Sequence, residues 1–150
     1  MVSGMMASPD ERAVIEKLLG PLHLRLRSAQ QAYAAYLEDQ KRFLYATILF
    51  DHNSAARDIS LRYGYLLPKH LQDDLLKLIF HIDVWMTLWM ELRDRTSPKT
   101  SDPFVFDNPV SFPRESVARI SEYFDQLRGA SVGQEAGNTA IVRFEGRSLP

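Results

Sequence analysis

"KLIFHIDVWMTLWMEL", Lys77 to Leu92, is the most apolar stretch of the chain, and its reading decides the fold. A membrane span is a poor reading. Lys77, His81 and Asp83 lie inside the run, and a central Asp costs roughly 2.5–3.5 kcal/mol on insertion scales. A core helix fits better. Upstream, "YLLPKHLQDDLL" supplies its start, with Pro68 in the first turn and Asp73 and Asp74 early, where the helix dipole favours anions. The two acids read as a solvated first turn. The helix is expected over residues 68–95, ending near Arg93 and Arg95. Leu71, Leu75, Leu78, Ile82, Trp85, Trp89 and Leu92 form one apolar stripe; Leu76, Ile79, Met86 and Met90 form a second. Two stripes predict packing on more than one side.

The flanking segments are helical as well. Ser8-Pro9-Asp10-Glu11 reads as an N-cap, a Pro at the first helical position and a capping Glu, and Gly20-Pro21 as the stop. From Leu22 to Phe50 apolar residues recur at alternating spacings of about four and three, a heptad-like stripe that points toward a partner helix. Asp51-His52-Asn53-Ser54 then reads as a kink or a break, and Gly64 as the end of the next helix. The proline-rich residues 96–112 carry Phe104, Val105, Phe106, Val110 and Phe112 and are expected to dock as a structured loop. A last helix is expected from Pro113 to Arg128, with Gly129 as its stop. Residues 129–150 hold four of the seven glycines and read as a flexible tail; "TAIVRFE" within it resembles a short strand. The expected architecture is therefore all-α: a single bundle domain of four to five helices over residues 1–128.

Composition narrows the function. Eighteen basic and nineteen acidic residues leave a formal charge of −1, with no global pull toward nucleic acid or an anionic membrane. No cysteine is present, which removes thiolate chemistry and cysteine-ligated metals. "MVSGMMASPDE" has no basic segment followed by an apolar run, so residence in the cytoplasm is the expectation. Ser54, Ser60 and Thr87 are scattered outside any nucleophile elbow, and no glycine-rich phosphate loop occurs. Asp83 falls on the second apolar stripe and requires a partner, with Arg57, Arg62, His52 or a hydroxyl from another helix as candidates. His81 borders the polar face. His52, Arg57, His81 and Asp83 are the candidate ligand site or buried polar network; no metal or other cofactor is expected, since the Glu-x-x-His and His-Glu-x-x-His spacings are missing. Tyr33, Tyr36, Trp85 and Trp89 are the candidate interface residues. Arg25, Arg27, Lys41, Arg42, Arg57 and Arg62 leave nucleic-acid contact open, but acids are interleaved with them.

The segment "FLYATILFDHNSAARDISLRYGYLLPKHLQDDLLKLIFHIDVW" resembles the HEPN-type helical domains of prokaryotic toxin–antitoxin and defence systems. The resemblance implies an all-α dimer, and in active members a metal-independent RNase with an Arg followed by four to six residues and a His. Here nine residues separate Arg42 from His52 and seven separate Arg62 from His70, so no catalytic residue carries over. The leading expectation is a non-enzymatic interaction module, an accessory or regulatory subunit that pairs with itself or with another protein. An RNA-acting protein and a small-ligand sensor using the bundle interior are the alternatives.

Overall fold

The structure is a computed structural model that describes residues 8–132; the strand-like "TAIVRFE" and the expected flexible tail beyond Val132 lie outside the described residues. Among the described residues four helical rods make up the fold. The first joins α1 (Pro9–Ala13), a π-helical stretch (Val14–Leu19) and α2 (Gly20–Glu38) without a break. The other rods are α3 (Phe43–Tyr63), α4 (Lys69–Thr96) and α5 (Arg114–Val132). The first rod packs along α3, α3 on α4, α4 on α5, and α5 returns to the π-helical stretch, which closes a four-rod bundle.

The capping signals are realised at the start. Ser8 Oγ accepts from the Glu11 amide (3.1 Å) and Glu11 Oε1 accepts from the Ser8 amide (3.0 Å), which satisfies two otherwise orphaned donors. Gly20-Pro21, however, does not stop the helix. Pro21 lacks an amide, and its ring crowds the carbonyl four residues back in a regular α-helix. The helix widens ahead of it instead, with the Gly20 amide reaching the Ile15 carbonyl. Gly20 is required there, because a Cβ would lie 2.9 Å from that carbonyl oxygen.

The break expected as one outcome at Asp51–Ser54 is absent: α3 runs through it, and Asn53 is buried. The chain turns earlier, at residues 39–42, where Gln40 and Lys41 adopt left-handed φ values of 62° and 51°. Left-handed non-glycine residues cost about 1–2 kcal/mol each, so the turn needs outside support. Arg42 pairs with Asp39, and Tyr45 Oη donates to the same carboxylate (2.8 Å). The docked loop provides the rest. Phe104 donates to the Lys41 carbonyl (2.9 Å), while the Asp102 and Thr100 carbonyls accept from Phe43 (2.8 Å) and Leu44 (3.0 Å). Arg42 offers no side-chain cap, so the loop caps α3. The heptad-like stripe over 22–50 is thereby folded back on itself, and the partner helix it calls for is supplied within the chain.

α4 begins and ends within a residue of expectation. Leu71, Leu75, Leu78, Ile82, Trp85 and Trp89 are buried along its inner side. The second stripe is not enclosed: Ile79 is buried, but Leu76 and Met90 are exposed. The loop docks as expected, with Phe104 and Phe112 buried and Val105 left outside. The Tyr36 hydroxyl donates to the Phe104 carbonyl, and burial pushes its pKa up to about 12, which keeps the donor proton in place. α5 passes Gly129 and reaches Val132.

Candidate functional site

The structure separates the four candidate site residues into three places. Arg57 and Asp83 meet across α3 and α4 as an ion pair, so Asp83 finds the first of its expected partners. Its side chain is 41% exposed, at the rim of the α3–α4 seam and not in the bundle interior. His52 lies on the other flank of α3, where its Nδ1 accepts from Arg25 Nη1 (3.1 Å). Burial, then the Arg25 charge, lowers the His52 pKa, against the opposing pull of Asp51; the imidazole is held neutral. Arg25 and His52 are 27 positions apart, and only the turn at 39–42 brings them together.

His81 stands alone from both. It is fully buried rather than at the edge of the polar face, because the loop covers it. Its Nδ1 bonds the Val110 carbonyl (2.7 Å), and Phe112 meets the ring edge-on at 5.4 Å. Among the described residues no group of three or more His, Asp or Glu side chains is arranged to hold a metal ion. None of the described helices is long and apolar enough to cross a membrane.

Asp74 was read as solvated, yet its side chain is only 7% exposed. Arg119 of α5 grips it through two bonds, 2.9 Å and 2.8 Å. That bidentate pair holds the Asp74 carboxyl below the usual carboxylate range; burial acts against it, and Ser116 adds a further hydrogen bond. The signal missed in the sequence is the i, i+4 spacing of Asp74 and Leu78, which places the acid beside the inner stripe.

The candidate interface residues are mostly interior. Tyr36, Trp85 and Trp89 are buried, and Tyr33 is half-buried and stacks on Tyr36 at 6.0 Å. Trp89 Nε1 donates to the Ala46 carbonyl (3.1 Å), and Phe43, Phe50 and Phe104 surround its indole. These aromatics hold the chain's own rods together. The outward apolar surface lies elsewhere. The Arg57–Asp83 pair sets the register of the antiparallel α3 and α4. Leu61 follows Arg57 by one turn; Phe80 and then Leu76 precede Asp83. Gln72 Nε2 donates to the Tyr65 carbonyl (3.3 Å), which keeps Tyr65 at the same end. Leu61 (53%), Tyr65 (69%), Leu76 (56%) and Phe80 (58%) are all more than half exposed. Asp58, Arg62, Asp73 and Lys77 are exposed around them.

Comparison of the chain with protein-family models, curated proteins and solved structures returned no match.

Proposed function

We propose that the chain is a non-enzymatic helical interaction module that presents the α3–α4 face to a second helical chain, in the first instance another copy of itself. The observation that supports this is the grouping of Leu61, Leu76 and Phe80 beside the Arg57–Asp83 pair. Leaving a Leu or Phe in water forgoes about 1.5–3 kcal/mol of burial each. Single exposed apolar residues are ordinary; several on one face, with a polar rim, mark an interaction surface. The rim carries Asp58 and Asp73 against Arg62 and Lys77, so a second copy meets no net repulsion. Light scattering on the wild type and Phe80→Asp tests the reading. A dimer that becomes a folded monomer in the variant supports it. A wild-type monomer at every concentration, with no co-purifying chain, overturns it.

A second reading rests on the Arg25–His52 contact. A neutral imidazole beside a guanidinium has the chemistry for RNA: a cation for phosphate, and a His52 Nδ1 that becomes a proton acceptor once Arg25 turns from it to the phosphate. RNA incubated with wild type, His52→Ala and Arg25→Ala checks it. Cleavage by the wild type alone supports the site; equal background cleavage by all three ends the reading.

A further inference from the structure

The loop between α4 and α5 is held at its two ends by different chemistry. Its first half is fastened by backbone hydrogen bonds to the turn at 39–42 and the start of α3. No titratable side chain takes part in those bonds. Its second half rests on His81. Nδ1 bonds the Val110 carbonyl at 2.7 Å, Asn108 Nδ2 donates to the His81 carbonyl (3.3 Å), and the Val110 amide donates to Asn108 Oδ1 (3.0 Å). Phe112 closes over the ring. The opposite ring nitrogen, Nε2, is buried and meets no hydrogen-bond partner among the described residues. A neutral imidazole has one donor and one acceptor nitrogen. Here Nδ1 carries the proton toward Val110, and Nε2 is a bare lone pair in an apolar setting.

We propose that residues 107–113 form a pH-operated clasp: neutral His81 holds the segment shut across α4, and a proton arriving on Nε2 releases it. Among the described residues a second N–H at Nε2 finds no acceptor within hydrogen-bond distance, and a buried charge without a partner is strongly disfavoured. The charged groups of the surrounding elements do not relieve this. On α4, Asp74 is committed to Arg119, Asp83 is committed to Arg57 of α3, and Lys77 is exposed. Asp107 of the loop and Arg114 and Glu115 of α5 are exposed. In agreement, burial lowers the His81 pKa, against the backbone hydrogen bonds of Val110 and Ser111, which raise it.

The sign follows from linkage. The closed state binds the proton more weakly than the open one. Closure is therefore fully favoured above the free imidazole value, about 6.5, and weakens as pH falls below it. Between the free and closed values the opening constant rises by up to about tenfold per pH unit. Opening withdraws Val110 and Phe112 from α4 and bares apolar surface beside Trp85, whose ring Phe106 touches at 5.9 Å.

Hydrogen exchange on the full chain at pH 7.5 and 5.0, corrected for intrinsic chemistry, tests the clasp. The expected result is a rise of about tenfold or more in opening at the Val110 amide and its neighbours, with the Phe43, Leu44 and Phe104 amides unchanged. His81→Asn removes the pH response. Equal protection of residues 107–113 at both pH values overturns the proposal, as does an equal loss across α3 and α4, or a pH response that survives in His81→Asn. Should that variant not fold, the His81 ring resonance in the wild type serves. Its titration must coincide with loop opening; protonation near pH 6.5 with the loop still protected contradicts the clasp.

Discussion

α4 carries two apolar stripes of similar chemistry and different fate. The inner one, from Leu71 through Trp85 and Trp89, is buried where α4 packs on α3, α5 and the loop. The outer one is split: Leu76 and Met90, with Phe80 beside them, are exposed, while Ile79 is buried and Met86 packs half-buried against the core. Each stripe is also flanked by an acid paired with an arginine. Asp74, on the inner side, is nearly inaccessible, whereas Asp83 stands at the rim with 41% of its side chain exposed. Apolar content does not decide which side of a helix becomes core. The neighbours that the chain can fold against it decide.

The largest expected effect contrasts the stripes directly. Trp85→Ala opens a cavity at the centre and should lower stability by about 3–5 kcal/mol, read from denaturant midpoints. Phe80→Ala should change stability by no more than about 0.5 kcal/mol when both proteins are compared at concentrations low enough to keep them monomeric. Comparable losses at the two positions would erase the distinction. The two acids come next. Asp74→Ala leaves the inner side without its charge-assisted bonds and should cost about 1–3 kcal/mol. Asp83→Ala removes a half-exposed pair and should cost no more than about 1 kcal/mol. The smaller pH effect sharpens the same contrast. The Asp74 carboxyl is depressed in the folded chain, so its contribution is fully present above the unfolded value, about 3.9, and is lost as pH falls through the folded one. Thermal melts of wild type and Asp74→Asn should begin to converge only as pH falls below about 4 and meet beneath the depressed folded value. Gly20→Ala, remote from both stripes, should destabilise despite alanine's helix preference of about 1 kcal/mol, because its Cβ meets the Ile15 carbonyl.

Where the information is local, the amino-acid order was enough. The Ser8 cap and the bounds of α4 follow from cap chemistry and periodicity, and the docking of Phe104 and Phe112 from the apolar content of the proline-rich segment. The turn at 39–42 does not. Glu38 to Arg42 reads as helix material, and its two left-handed residues are stabilised by Thr100, Asp102 and Phe104, some sixty positions away. Asp51–Ser54 failed in the opposite sense: weak helix formers were overridden by packing around buried Asn53. The same long-range events hid the candidate sites. His81 becomes buried only when the loop arrives, and Arg25 reaches His52 only after the hairpin closes. The Arg57–Asp83 pair was legible because an acid on an apolar stripe demands a cation, and few were available.

The inner stripe of α4 is filled within one chain, and the proposed role of the exposed Leu76 and Phe80 is to pack on a second. Thermal unfolding of the wild type and Phe80→Asp over a hundredfold range of protein concentration tests it most directly. Mass action requires the wild-type midpoint to rise with concentration and the variant midpoint to stay fixed. A wild-type midpoint independent of concentration, or the same dependence in both proteins, would contradict the account.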